Sequence, residues 1–144
     1  MTGGVGAQQV RDFYLRYFIG RHPPDATLVP LTRTVGESRI VDELLYQFTH
    51  TIEMPWMLPG MAPTGRRVEA ALVVVVDFQD GKISAERIYW DQASVLAQIG
   101  ALNAGQLPVT GAEAARKVRE PAREPSNGLI PRDGPADARD HHPR

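Results

Sequence analysis

The chain has 144 residues, 42% hydrophobic and 23% charged, enough for one domain around one core. Its 16 basic and 17 acidic residues give a net charge of −1, which provides no footprint for nucleic acid or an anionic membrane surface. The absence of cysteine excludes thiolate catalysis, disulfides and thiolate metal sites, and no signal-like start or apolar run of about 18 residues occurs, so a cytoplasmic protein is expected.

The stretch VGAQQVRDFYLRYFIG puts Val10, Phe13, Tyr14, Tyr17 and Phe18 on one helical face and Arg11, Asp12 and Arg16 on the other. RHPPD ends that helix, because proline lacks the amide donor and turns the preceding residue away from helix. ATLVPLTRTVGES follows as a strand that Pro30 confines to a sheet edge or a bulge. In RIVDELLYQFTHTIEM the alternation is regular. Leu44, Tyr46, Phe48, His50, Ile52 and Met54 share one face, and Glu43, Leu45, Gln47, Thr49, Thr51 and Glu53 the other.

RRVEAALVVVVDF is β-branched and almost continuously apolar, as in a central strand with both faces partly covered. QDGK supplies Asp80-Gly81 for a tight turn into the returning strand ISAERIYW, so the sheet is antiparallel. Beyond Asp91 the period becomes helical, with Val95, Leu96, Ile99 and Leu102 on one face and Gly105 and Pro108 marking the end. The expected organisation is a domain over residues 1–107, a short exposed helix or linker over 108–120, and a proline-rich, charge-alternating disordered tail over 121–144. The fold class is α+β, with helices on one face of a curved antiparallel sheet.

The connection LPGMAPTGRRVE, the turn Asp80-Gly81-Lys82-Ile83 and the run YWDQASVLAQIG carry a resemblance in this order of elements. From about Gly4 to Leu102 the chain resembles the C-terminal two-thirds of a SnoaL-like polyketide cyclase domain, of the nuclear-transport-factor-2-like superfamily. The family usually has two helices and a strand ahead of the segment matching GGVGAQQVRDF. The resemblance implies a cone in which a curved sheet wraps helices round a deep apolar pocket, commonly in a homodimer formed through the sheet. It also implies ring closure by intramolecular aldol condensation with no metal or cofactor, using a carboxylate acid/base at the position of Asp91. Superfamily members without chemistry share the same fold.

Two roles are open for Asp91. Aspartate is a favoured helix N-cap, which explains a carboxylate at a strand–helix junction. Held among apolar groups such as Tyr89 and Trp90, the same carboxylate would gain basicity by desolvation. His50, on the apolar face of its strand, is either a core histidine with a satisfied hydrogen bond or a partner of Asp91 in proton transfer. Tyr46 shares that face and suits hydrogen-bond donation to a developing enolate.

Phe13, Tyr17, Phe48, Trp56, Met57, Tyr89 and Trp90 are the candidate lining of an apolar pocket. The MPWMLPGMAPTG loop shapes either its mouth or an interface. No metal site is expected, since His22 and the His141-His142 pair lie away from clustered carboxylates. With the resemblance, these residues imply a domain that binds a small apolar carbonyl compound and, if it is an enzyme, abstracts a proton next to the carbonyl, leading to cyclisation or isomerisation. The alternatives are a non-catalytic ligand-binding or dimerisation module, and hydrolysis of a lactone or ester by water activated at Asp91.

Overall fold

The computed structural model describes residues 3–130, so the end of the expected tail, 131–144, lies outside the described residues. A first helix, α1 (Gly6–Phe13), runs into a π-helical turn at Tyr14–Phe18. Four strands follow, β1 (Thr27–Val35), β2 (Arg39–Thr49), β3 (Arg67–Gln79) and β4 (Lys82–Trp90), and then α2 (Gln92–Gln98) and α3 (Ala112–Arg119). The strands form one curled antiparallel sheet in the order β1-β2-β3-β4, so the α+β class holds.

Local chemistry explains the strand order. Pro30 cannot donate to a neighbour on both sides, and β1 is indeed an edge strand whose register shifts between Pro30 and Thr32. Asp80 and Gly81 adopt φ of 52° and 71°, the left-handed pair that matches the twist of a two-residue hairpin between β3 and β4.

The two-residue period of β2 sorts the sheet into two faces. Tyr46 stands opposite Ala70, Leu44 opposite Leu72 and Phe48 opposite Val68, while Leu72 in turn pairs with Trp90 and Val74 with Ile88. These residues make the inner face. It packs against Phe13 and Phe18 from the first helix, against Met54, Trp56, Met57 and Leu58 from the loop after β2, and against Val95 and Ile99 of α2. Burying each large side chain here contributes on the order of 1.5–3 kcal/mol. The outer face is not left bare. Leu45, opposite Ala71 and completely buried, lies on the side where α3 packs on β3 and buries Ala115.

The first helix departs from its expected face. The amide of Ile19 donates to the carbonyl of Tyr14 at 2.8 Å, five residues back, and this wider turn rotates the chain out of the 3.6-residue phase. Phe13, Tyr14 and Phe18 remain half-buried, whereas Tyr17 is 47% exposed and Val10 39%.

After α3, Lys117 Nζ donates to the carbonyls of Pro121 and Glu124, at 2.8 and 2.6 Å, and Arg116 pairs with Glu124. Residues 121–126 are thereby fastened to α3. Among the described residues no helix is long and apolar enough to cross a membrane.

Candidate functional site

The inner face carries a continuous aromatic cluster. Phe18 lies 5.1 Å from Trp56 and 4.7 Å from His22, ring centre to ring centre, and Trp56 lies 5.8 Å from Tyr46 and 6.2 Å from Trp90. Within this cluster His22 Nδ1 is 2.8 Å from the Tyr46 hydroxyl. The loop that carries His22 is fastened at its far end. The Asp25 carboxylate accepts from the Thr49 amide at 3.0 Å, from the Thr49 hydroxyl at 2.7 Å and from Arg67 at 3.1 Å, which ties the loop to the ends of β2 and β3. The Trp56 indole donates to the carbonyl of Arg21 at 3.2 Å and holds the other side.

Desolvation sets the protonation of this pair. Burial holds the His22 imidazolium down, so its pKa lies below the usual 6.5 and the ring is neutral at pH 7. Burial, with a smaller contribution from the charge of Asp25, pushes the Tyr46 phenol up and keeps it protonated. Further along the inner face, the Tyr14 hydroxyl donates to Glu86 at 2.6 Å. Its pKa is raised to about 12, first by burial and then by that hydrogen bond.

His50 is completely buried where β2 gives way to the loop. Its Nδ1 is 3.2 Å from the Thr64 hydroxyl, and its carbonyl accepts from the amides of Thr64 and Gly65. Its Nε2 is buried without a hydrogen-bond partner among the described residues, and burial lowers its pKa as well.

Asp91 is exposed and caps α2, its Oδ1 accepting from the Ser94 amide at 3.0 Å. It lines a cavity of about 80 Å³ together with Glu69, Ala71, Ala114 and Ala115, on the α3 side of the sheet. Neither His50 nor Tyr46 lines that cavity.

Of the expected lining residues, Phe13, Phe48, Trp56, Met57 and Trp90 pack in or against the inner core. Tyr17 does not, for the reason given by the π-helical turn. Tyr89 pairs with Val73 on the outer face and is 57% exposed. A second cavity, of about 380 Å³, lies over β1 and β2 and is lined by Pro30, Leu31, Thr32, Arg33, Asp42 and Leu44. Leu44 is two residues before Tyr46 on the same face, so this cavity continues the inner surface beyond the cluster.

His22 is the residue that sequence reasoning passed over. It sits in an irregular loop, where no periodicity reports on its direction, and its partner Tyr46 is 24 residues away. Among the described residues no group of three His, Asp or Glu side chains is placed to hold a metal ion.

A curled four-stranded antiparallel sheet whose inner face packs aromatic residues against a helix defines a cone of the nuclear-transport-factor-2-like class. The model of the SnoaL-like polyketide cyclase family matches residues 5–99, and the chain belongs to that family. Among solved structures it is similar to a candidate SnoaL-like polyketide cyclase from Jannaschia sp. CCS1, with a TM-score of 0.55 and 19% identity over 71% of this chain and 70% of that one. It is also similar to AclR, a candidate hydroxylase from Streptomyces galilaeus, with a TM-score of 0.52 and 24% identity over 64% of this chain and 60% of that one. TsrD from Streptomyces laurentii matches with a TM-score of 0.52 and 18% identity over 66% of each chain. At these identities the likeness is one of fold. The chain thus spans 60% of the length of AclR. No curated protein matches it.

Proposed function

We propose that this SnoaL-like domain binds an apolar carbonyl compound on the inner face of its sheet and promotes proton abstraction next to the carbonyl, leading to cyclisation or isomerisation. The observation that carries this reading is the Tyr46 hydroxyl, held 2.8 Å from a neutral His22 inside a wall of Phe18, Phe48 and Trp56. Aromatic side chains supply apolar contact area at low conformational cost. A protonated phenol whose oxygen is already positioned supplies the hydrogen bond that a carbonyl oxygen needs, and that bond strengthens as the oxygen gains charge in an enolate. Family membership supports the reaction class. In this reading His50 packs where β2 gives way to the loop, and Asp91 caps α2.

The placement of Asp91 favours a second reading, a ligand-binding module without turnover, in which the carboxylate only caps the helix. Self-association is proposed for the outer face, where Val73 and Tyr89 are paired and exposed, and a single-chain mass in sedimentation equilibrium would remove that proposal.

Binding is measurable through the protein's own fluorescence, because both of its tryptophans, Trp56 and Trp90, lie in this cluster. Titration with 2-tetralone is expected to quench them at lower concentration than titration with tetralin, which has the same rings and no carbonyl. Tyr46→Phe should erase that preference, a loss of roughly three- to tenfold for one hydrogen bond. Equal affinity for the two compounds in the unmodified protein would refute carbonyl recognition.

A further inference from the structure

The cavity of about 380 Å³ over β1 and β2 has the size of a small-molecule site, and Pro30, Leu31 and Leu44 give it an apolar floor. Its shape has a local cause. Pro30 stands opposite Leu44 and Thr32 opposite Glu43, so Leu31 is an extra residue in the edge strand. Such a bulge bends the strand and re-aims its side chains, a device common at sheet edges and beside active sites. Just past it Arg33 pairs with Asp42 across the strands, and both line the cavity.

That ion pair uses only one edge of the guanidinium. Arg33 Nε donates to Asp42 Oδ1 at 2.6 Å and Nη2 donates to Oδ2 at 2.8 Å. A guanidinium carries five N–H donors in one plane, so three stay available, two on Nη1 and one on Nη2. Among the described residues Nη1 makes no hydrogen bond. The Asp42 side chain is 14% exposed and that of Arg33 64%, so the carboxylate is sunk against the sheet and the second edge of the guanidinium stays accessible. The hydrogen bond from Arg33 holds Asp42 below the usual carboxylate range, and the same bond raises Arg33, so both are ionised at pH 7.

We infer that this cavity binds a small apolar carboxylic acid in its ionised form, with the two carboxylate oxygens on the free edge of Arg33 and the hydrocarbon body over Pro30, Leu31 and Leu44. The inference stands apart from the carbonyl reading of the aromatic cluster. Two parallel N–H donors match the two oxygens of a carboxylate in spacing and plane. Asp42 is a positioning residue here, because a guanidinium already held flat by one carboxylate loses little freedom when a second arrives. Since Asp42 offsets much of the positive charge, the selection rests on the fork geometry, which an uncharged amide of the same skeleton meets with only one oxygen. Glu43, the neighbouring acid, faces the other side of β2 and accepts from Thr32.

Titration of the full chain at pH 7 with 4-phenylbutyrate, and separately with 4-phenylbutyramide, tests this through the methyl NMR resonances of Leu31 and Leu44. The acid is expected to shift both sets saturably, at about tenfold lower concentration than the amide. Arg33→Lys keeps a cation beside Asp42 and removes the planar second edge. It should lower the affinity for 4-phenylbutyrate about tenfold and leave that for the amide within about twofold.

Equal affinity for acid and amide in the unmodified protein overturns the inference, as does the absence of saturable binding, or binding of the acid that leaves Leu31 and Leu44 unshifted. None of these results needs a variant to fold. An Arg33→Lys protein with unchanged circular dichroism that keeps the tenfold preference overturns it also. Tryptophan quenching by 2-tetralone is a separate measurement on separate residues, so the carbonyl reading stands or falls independently.

Discussion

Replacing Asp91 by Ala removes the hydrogen bond that the Ser94 amide donates to Oδ1 at 3.0 Å, and leaves the first turn of α2 with one more unsatisfied donor. The helix is only seven residues long, and it delivers Val95 and, at its C-cap, Ile99 to the inner core, so fraying at its start is felt by packed side chains. Loss of such a cap costs about 1 kcal/mol, with a range of about 0.5–2, whereas Asn caps nearly as well as Asp. For a domain of this size that corresponds to a fall of roughly 3–6 °C in melting midpoint for Asp91→Ala and almost none for Asp91→Asn. Thermal melts followed by circular dichroism measure both. An Asn variant as unstable as the Ala variant would refute capping as the source of the effect. The same Asn protein separates the chemistry, since it cannot take up a proton at neutral pH. With Asp91 as a cap alone, its rate of α-carbon hydrogen–deuterium exchange on 2-tetralone, read by proton NMR, should stay within about twofold of the unmodified protein. A loss of about 100-fold at an unchanged melting midpoint would give the carboxylate an acid/base role beside its cap.

Stability should respond to pH in two separate windows. His22 and His50 have folded-state pKa values lowered below 6.5 by burial, so between those values and 6.5 the unfolded chain binds more protons than the folded one. Their contribution is therefore complete above about pH 7 and is lost as the pH falls through 6.5. Asp25, Asp42 and Asp77, lowered from 3.8 chiefly by hydrogen bonds from Thr49, Arg33 and Arg39, contribute stability that is lost only below about that value. Melts recorded from pH 8 to pH 3 should show a flat region and then two declines, and a midpoint that stays constant from pH 7 to pH 5 would contradict the first.

Gly100 has φ of 78°, and a Cβ there would run into the Arg66 guanidinium. Gly100→Ala should cost about 1–2 kcal/mol from the backbone conformation alone. That cost should persist in an Arg66→Ala background, because a flexible side chain can move aside while the φ cannot. Urea unfolding of the four proteins in this cycle tests it, and a cost that vanishes with Arg66 would show that only the contact mattered.

The sequence is legible where one local rule acts alone. Pro30 leads to an edge strand, Asp80-Gly81 leads to a hairpin, and the alternation from Leu44 to Phe48 leads to the inner face, each through backbone sterics or the period of a pleated strand. It is illegible where a distant element decides the outcome. Leu45 belongs to the polar half of the β2 alternation, yet it is buried because α3, some 70 residues later, packs on that side of the sheet. His22 lies in a loop, and only the folded sheet brings Tyr46 to it. Asp91 shows how one local rule places a residue without assigning its role. An aspartate next to Trp90 suggests a carboxylate sheltered by an indole, but consecutive residues at the end of a strand point to opposite faces. Trp90 pairs with Leu72 on the inner side, so the carboxylate that follows it is turned to the α3 side, where it caps α2. The same alternation sends Glu86, Ile88 and Trp90 inward together.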